Sequence, residues 1–301
     1  MYKGKFKVIT GLGNKDKNKV KDLVLIWMKA GADIFDTSIE VMPYIQEEAK
    51  KAGFNLDDYI FCVSIPIEGD IHGKKAKIIK EKCNLCNLCK KVCVDNAINP
   101  PFVDELKCIG CSRCFDVCRN NAIKMYDDKI AFEKPFDKNI KLDMVEVHIS
   151  IDDIDKIKKD YKKIIDVFND RNVTISVCLN RKCFSNNTVI KLLSELKEMT
   201  NKPFIVQADG NPMNGANEDI KSTIETLAFG NFVKNLGYEI VLSGGTNKYT
   251  AELAGKMNLD CSIGFGSYIR KITDNKDKDE AIKIAFDFVK RTKELLNAKQ
   301  C

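Results

Sequence analysis

Two runs of cysteines in this sequence share the spacing C-x2-C-x2-C-x3-C. They comprise Cys83, Cys86, Cys89 and Cys93, followed by Cys108, Cys111, Cys114 and Cys118. The residues that follow each run also repeat, because Asn96-Ala97-Ile98 corresponds to Asn121-Ala122-Ile123. The region is therefore an internal duplication with an offset of 25 residues.

Three thiolates on one tight loop suit three corners of a cubane iron–sulfur cluster, and in bacterial two-cluster ferredoxins the fourth ligand comes from the other repeat. The spacing therefore predicts two 4Fe–4S clusters. One is assigned to Cys83, Cys86, Cys89 and Cys118, and the other to Cys108, Cys111, Cys114 and Cys93. A pair of zinc knuckles is the alternative, although it would need only a simpler four-thiolate spacing. The proline that usually follows the fourth cysteine is replaced by Val94 and Arg119, which are not expected to prevent ligation.

Composition indicates the compartment and the partners to expect for such a protein. The 301 residues include 13 cysteines and show no secretion signal, so we expect reduced thiols and a cytoplasmic protein. No segment approaches the roughly 20 apolar residues that cross a bilayer. The net charge of +6 comes from lysines interleaved with acidic residues, without the concentrated basic face that nucleic-acid binding requires. We therefore expect neither a membrane nor a nucleic-acid partner.

Outside the cysteine runs, short β-branched segments alternate with segments of helical period. The predicted strands are Phe6–Thr10, Asp33–Thr37, Tyr59–Ile65, Met144–Ser150, Val173–Asn180, Phe204–Asp209, Glu239–Ser243 and Cys261–Phe265. Apolar helix faces are predicted at Val20, Leu23, Val24 and Trp27, and at Ile220, Ile224, Leu227 and Ala228. Helix ends are predicted at Gly31, Gly53 and Gly237. This alternation predicts an α/β fold, a TIM-like (β/α)8 barrel, with an open doubly wound sheet as the alternative.

The cysteine runs interrupt this pattern after the third strand. We expect residues 1–67 to form the first part of the barrel, residues 68–138 a ferredoxin-like two-cluster insert, and residues 139–301 the second part. The insert leaves from the carboxyl end of strand three, which is the face where barrel ligands bind. The clusters are therefore expected beside the barrel mouth.

Polar side chains share one parity along several predicted strands. In Val145–Ser150 they are Glu146, His148 and Ser150. Because strand side chains alternate between faces and helices cover the outside, these groups are expected to point into the barrel. Similar positions are Asp36, Ser38, Thr174, Ser176, Cys178, Asn180, Gln207 and Asp209. A satisfied polar core is one interpretation; the other is a ligand site with Glu146, His148 and Asp209 as acid–base candidates.

Glycine-rich loops follow the last two predicted strands. Their candidate ligand-binding residues are Ser243, Gly244, Gly245, Thr246, Gly264, Gly266 and Ser267. Backbone N–H groups in such loops approach anions, and this pair of loops is the recurring phosphate site of (β/α)8 barrels. Tight turns are the alternative. A flavin or another phosphate-bearing ligand would suit the Ser243–Thr246 loop.

The same glycine-rich blocks carry a family resemblance. The segments are Ala30-Gly-Ala-Asp-Ile-Phe-Asp, Gln207-Ala-Asp-Gly-Asn-Pro-Met-Asn-Gly, Leu242-Ser-Gly-Gly-Thr-Asn-Lys-Tyr-Thr and Gly264-Phe-Gly-Ser-Tyr-Ile-Arg-Lys. With a ferredoxin-like insert in the same order, the chain resembles the cyanobacterial light-dependent period protein family (LdpA). That family is described as an iron–sulfur redox sensor. The resemblance implies cluster ligands at the eight cysteines and a redox-responsive protein.

Three hypotheses for function follow. In the first, the chain is an electron carrier or sensor whose clusters exchange electrons with a donor or acceptor protein or a small redox ligand. In the second, it is an oxidoreductase that passes electrons to a flavin or an anionic substrate at the barrel mouth. In the third, the clusters only stabilise a scaffold, which leaves the polar interior unexplained.

Overall fold

Eight parallel strands close into a barrel in the computed structural model, which describes residues 2–128, 137–212 and 215–297. The barrel strands are β1 (Phe6–Ile9), β2 (Ile34–Ser38), β3 (Ile60–Pro66), β8 (Met144–Ile149), β9 (Thr174–Asn180), β10 (Phe204–Asp209), β11 (Ile240–Ser243) and β12 (Ser262–Phe265). Each pairs with its neighbour along the chain, and β1 pairs with β12 to complete the ring, placing Val8 opposite Phe265. The predicted barrel is confirmed, and the open sheet is wrong because the two end strands hydrogen-bond to each other.

Helices cover the outside of the barrel. They are α1 (Lys17–Lys29), α2 (Met42–Lys51), α5 (Ile154–Val167), α6 (Asn186–Glu198), α7 (Ile220–Asn235), α8 (Thr250–Lys256), α9 (Ser267–Thr273) and α10 (Lys278–Asn297). Asp16 caps α1 by accepting a hydrogen bond from the Lys19 amide at 3.1 Å. Gly31, Gly53 and Gly237 follow α1, α2 and α7 with φ of 84°, 86° and 90°, as helix-terminating glycines do.

One predicted helix face is wrong. The α1 face is buried as predicted, but on α7 Ile220 and Ile224 are 49% and 54% exposed, and Ala228 is also exposed. Small side chains turn inward instead, because α7 lies very close to the barrel. A Cβ on Gly230 would stand 2.1 Å from a methyl of Leu242. The buried face of α7 comprises Ser222, Thr223, Thr226, Leu227, Phe229, Gly230 and Val233.

The cysteine-rich insert lies between β3 and β8. It contains two small antiparallel pairs and two short helices. These are β4 (Lys74–Ile78) with β7 (Ile123–Asp127), β5 (Ile98–Asn99) with β6 (Phe102–Val103), α3 (Leu88–Lys91) and α4 (Arg113–Asp116). Its buried core is small, and three of its eight members are cysteines. Residues 129–136, which belong to the predicted insert, lie outside the described residues.

Two buried cations fasten the insert to the mouth of the barrel. Lys75 of β4 donates hydrogen bonds to the carbonyl of Gly13 in the β1–α1 loop and to that of Cys108, the latter at 2.6 Å. On the other side, Arg270 of α9 pairs with Asp95 at 3.2 Å and donates to the carbonyl of Ile9 at 3.1 Å. The second cysteine run is therefore held against the carboxyl ends of the barrel strands.

Candidate functional site

Two cavities in the insert are each lined by four thiols. The larger, cavity I, encloses about 680 Å³ and contains Cys83, Cys86, Cys89 and Cys118. The smaller, cavity II, encloses about 350 Å³ and contains Cys93, Cys108, Cys111 and Cys114. These are the two sets predicted by exchange of the fourth cysteine between repeats. The described cysteines form no disulfide.

The two repeats also share their backbone conformation. Leu85 and Gly110 occupy equivalent positions at φ of 59° and 73°, and Asn87 and Ser112 do so at 62° and 60°. These left-handed residues turn each loop so that three thiols face one cavity. Amide donors repeat as well. The Ala97 N–H lies 3.2 Å from Cys93 Sγ, and the Ala122 N–H lies 3.3 Å from Cys118 Sγ.

This donor set fits a 4Fe–4S cluster in each cavity. Burial, followed by the neighbouring thiols Cys111, Cys108 and Cys93, raises the pKa of Cys114 to about 12. Four thiolates so close together therefore require a cationic group between them, and N–H donors to sulfur favour the ligated thiolate. The same thiols would also suit another thiophilic metal, and the ferredoxin-type spacing favours iron–sulfur.

A third cavity, the mouth cavity, lies between the insert and the barrel. Its space measures about 790 Å³, counting its open side. The barrel contributes the carboxyl ends of β8, β10, β11 and β12, and the insert contributes His72, Val94, Ile109, Cys111 and Arg113. Cys111 lines both the mouth cavity and cavity II. A molecule in the mouth would therefore lie beside a predicted cluster ligand.

Below this cavity, a lysine that the sequence analysis missed organises the barrel interior. Lys7 of β1 is fully buried; its Nζ lies 2.9 Å from Asp36 and 2.7 Å from Gln207, and it also pairs with Glu146. Burial lowers the pKa of Lys7, but Asp36 and Glu146 outweigh this and raise it well above its usual value. The sequence did contain a signal for this. Lys7 lies between Phe6 and Val8 in a predicted strand, and since side chains alternate between faces, it must point inward if those apolar residues face the helices.

Glu146 is fully engaged in this interior network. Besides Lys7, it accepts hydrogen bonds from Gln207 at 2.7 Å, His148 at 2.9 Å and Ser176 at 3.1 Å. Burial raises the pKa of Glu146, but Lys7 and His148 have the larger opposite effect, so the pKa falls to about 2. A carboxylate with four donors is better suited to holding His148 in place than to exchanging protons. Its predicted acid–base role stays a prediction.

The only two histidines of the chain meet at the mouth cavity. The ring centres of His72 and His148 are 4.8 Å apart. His72 Nδ1 lies 2.9 Å from Asp70, as His148 Nε2 does from Glu146, so a buried carboxylate orients each ring. The sequence analysis missed His72 and Asp70, which follow β3 in the insert. The only sequence signal was an Asp-x-His step, in which Asp70 caps the short helix Ile71–Gly73.

Asp209, the third acid–base candidate, also lines the mouth cavity. Its Oδ1 and the Ser243 hydroxyl are buried and have no hydrogen-bond partner among the described residues. Burial raises the pKa of Asp209 to about 6, even though His72 and His148 oppose the shift. The adjacent Gly244 has φ of 65°, and a Cβ there would lie 1.5 Å from Asp209 Oδ1. Two unpartnered polar groups thus face a space where a ligand could satisfy them.

The glycine-rich loops form one wall of the same cavity. Ser243, Gly244, Gly245, Thr246, Gly266 and Ser267 line it. Gly264 does not; it lies within β12, and its carbonyl accepts a hydrogen bond from Thr246 at 2.7 Å. Arg270 also lines the cavity, but it is occupied by Asp95 and Ile9. Binding of phosphate by these loops stays a prediction. Residues 213 and 214 of the neighbouring motif lie outside the described residues.

One buried trio has the geometry of a metal site but is already hydrogen-bonded. Donor atoms of Glu146, His148 and Cys178 lie within 4.8 Å of one another. The Gln207 amide donates to Glu146 at 2.7 Å and lies 3.5 Å from Cys178, so it stands between the would-be ligands. Cys178 and Glu146 also raise the pKa of His148 well above its usual value against the effect of burial, which favours the protonated ring over a metal-binding one.

Comparison with protein families gives two matches within the chain. The light dependent period A C-terminal domain matches residues 138–298, and a 4Fe-4S binding domain matches residues 101–124. No curated protein matches the chain. None of the helices in residues 2–128, 137–212 and 215–297 combines the length and apolarity needed to cross a membrane.

Several solved barrels are distantly similar. Deoxyribose phosphate aldolase from Aeropyrum pernix has a TM-score of 0.48 at 12% identity, over 93% of this chain and 88% of that one. A tryptophan synthase alpha-subunit from Pyrococcus furiosus has 0.46 at 12% identity, over 96% and 97%. The Amycolatopsis orientalis BexX/CysO complex has 0.45 at 11%, over 97% and 90%. Similarity this low says nothing about activity, and the fold assignment rests on the closed strand order.

Proposed function

The chain belongs to the light dependent period A C-terminal domain family and is an iron–sulfur protein, and we propose that it passes electrons between two 4Fe–4S clusters and a small ligand at the barrel mouth. Cavities I and II would hold the clusters, through the two sets of four thiols. When bound, the clusters would supply one-electron redox steps that protein side chains cannot.

The cavity shared by insert and barrel carries this proposal. Cys111 lines cavity II and also faces the space bounded by His72, His148 and Asp209. A scaffold role would not require the thiols of one cavity to open towards an acid–base site. At the other end of the insert, Cys86 of cavity I is exposed. Cavity I is thus reached from the surface at Cys86, and cavity II adjoins the mouth at Cys111.

The side chains at the mouth indicate what kind of ligand would receive the electrons. His72 and His148 can each be oriented by a carboxylate, and Asp209 is a buried carboxyl with a raised pKa, so the site can hold protons near neutral pH. We infer a polar ligand that gains or loses protons with electrons. A flavin or another phosphate-bearing molecule fits this description, with its anionic group at the Ser243–Thr246 loop.

A sensor is the second candidate, and the anchoring contacts favour it. Lys75 joins the carbonyl of Cys108 to the β1–α1 loop of the barrel, and Asp95 joins the first cysteine run to Arg270. A change of charge in cavity II would act directly on both contacts. In a sensor the mouth would serve a partner or effector rather than a substrate.

Anaerobic purification tests the proposal. Iron and sulfide are counted, reduction is followed in the visible and electron paramagnetic resonance spectra, and any small molecule released on denaturation is identified by mass. We expect about eight irons per chain. A released redox-active or phosphorylated molecule, lost in Asp209→Asn while iron content is unchanged, would support electron transfer to a ligand. About eight irons with an empty mouth would favour the sensor, and zinc or far fewer irons would refute both.

A further inference from the structure

The surface around cavity I combines exposed apolar side chains with unpaired positive charge. We call it the cluster I face and define it by Lys80, Lys82, Leu85, Lys90, Lys91 and Phe102. Leu85 and Phe102 are 54% and 59% exposed. They flank an exposed thiol, because Cys86 follows Leu85 directly, and Pro100, two residues before Phe102, lines cavity I.

The charge on this face is almost entirely positive. Lys80, Lys82, Lys90 and Lys91 are exposed, and none forms an ion pair with the described part of the chain. Lys80 Nζ lies 4.6 Å from the centre of the Phe102 ring, so its charge is held over the apolar patch. From Lys80 to Phe102 the acidic residues are Glu81 and Asp95, and Asp95 is buried and paired with Arg270.

On three helices of the barrel, most lysines are paired with acidic residues. On α2, Lys51 pairs with Glu47 at 2.7 Å, and on α5, Lys162 pairs with Asp166 at 3.7 Å. On α6, Lys191 pairs with Glu195 at 3.9 Å. The lysine-rich composition is therefore largely neutralised on these helices of the barrel but not around cavity I. Four of the unpaired lysines, Lys80, Lys82, Lys90 and Lys91, are concentrated around the exposed Cys86 and two exposed apolar side chains, which indicates a partner that supplies the negative charge.

We propose that the cluster I face is the docking surface for an acidic electron-carrier protein, which exchanges electrons with the chain at Cys86. This rests on the proposed function, since it assumes a redox cluster in cavity I. Opposite charge on the two surfaces speeds their encounter, and the apolar patch excludes water where the two redox centres approach. A second copy of the chain is a poor occupant, because two positive faces would repel.

The probe is reduced flavodoxin, a small acidic carrier whose spectrum is distinct from that of an iron–sulfur cluster. Anaerobic stopped-flow mixing measures its oxidation by the cluster-loaded full chain at increasing ionic strength. The test variant is Lys80→Glu/Lys82→Glu/Lys91→Glu. The control, Lys51→Glu/Lys162→Glu/Lys191→Glu, changes the net charge equally on the barrel surface. Dithionite, a small reductant that needs no docking surface, and iron content verify that the clusters of every variant are intact.

We expect the second-order rate for wild type to fall as salt rises, because the Debye length shrinks below about 10 Å above 0.1 M. The test variant should be at least about tenfold slower than wild type at low salt, and the control within about twofold. Equal slowing of both variants, or a rate indifferent to salt, would overturn the docking surface. So would binding of this face to anionic vesicles or duplex DNA with no reaction with flavodoxin. Failure of dithionite to reduce any cluster would instead overturn the proposed function.

Discussion

The barrel and its insert achieve order in different ways. Between the barrel strands and the surrounding helices lies a continuous core of apolar side chains, and the buried charges inside the barrel are matched within one network around Lys7. The insert buries only eight core side chains, and three of them are thiols. A core that small rarely stabilises a fold without a metal or a cross-link. We therefore expect the barrel to fold through its own core and the insert to depend on its cofactor to fold.

Removal of iron should have the largest effect and should act on one region only. We expect chelation under oxidising conditions to unfold residues 74–127, because metal-binding energy is folding energy in such modules. Limited proteolysis should then cut the insert while the barrel keeps its cooperative thermal transition. Cys111→Ser should reproduce the loss and Cys183→Ser, which alters a half-buried thiol of the barrel, should not. Loss of the barrel transition together with the insert would contradict this division.

In the barrel, loss of the buried Lys7 should lower the free energy of unfolding more than loss of any single contact at the surface. Lys7→Met leaves Asp36 buried without a counter-charge and Glu146 with His148 alone, so we expect it to lower the free energy of unfolding by about 3–5 kcal/mol. Urea unfolding followed by circular dichroism measures this. The control, Lys5→Met, affects a half-exposed lysine 3.5 Å from Asp33 and should cost less than about 1 kcal/mol.

A second substitution tests whether the buried charges cause this loss of stability. Adding Glu146→Gln to Lys7→Met removes one of the two carboxylates that paired with Lys7 and should recover part of the loss. If the double variant is as unstable as the sum of the single ones, the network is not the reason for the effect.

Asp209 should make the barrel less stable as pH rises. Its pKa is about 6 in the folded chain against 3.8 for an ordinary aspartate, so the folded state holds a proton that the unfolded state has already lost. Stability contributed by this group is therefore lost between about pH 4 and pH 6, by up to about 3 kcal/mol. Asp209→Asn should be more stable than wild type at pH 7 and equal to it near pH 3. A difference independent of pH would contradict this assignment.

The smallest expected effect is a difference in stability between substitutions at equivalent positions of the two repeats of the insert. Leu85→Gly should change stability by no more than about 1 kcal/mol, since glycine adopts the left-handed conformation without cost. The equivalent Gly110→Ala should be clearly worse, because its Cβ would lie 2.1 Å from the carbonyl of Lys74. The temperature at which the visible cluster absorption bleaches under anaerobic heating compares them. Equal effects would mean that the repeats are packed alike.

Most of the fold and part of the site were predictable from the sequence. All eight barrel strands lie within a residue or two of their predicted bounds, since helix-covered strands carry a strong apolar pattern. The two sets of four cysteines follow from spacing alone. His148, Asp209 and the Ser243–Thr246 loop lie at one cavity, as expected from strand ends that meet on the same face.

Other site residues could not be predicted from the sequence pattern. His72 reaches the mouth only because the insert folds back over the carboxyl end of β3, and no periodicity in a loop records that return. On α7, the apolar periodicity predicted the wrong buried face. Because this helix lies close to β11, small residues such as Thr226 and Gly230 face inward and Ile224 stays outside.

The sequence by itself determined the repeated thiol spacing, the alternation of strands and helices, and the loop glycines, because each depends on neighbours along the chain. Only the tertiary structure decided that Cys111 opens onto the barrel mouth, that Lys7 pairs with two buried carboxylates, and that the two histidines meet. These depend on contacts between residues far apart in sequence, where the balance between burial and pairing of charge is set by the fold.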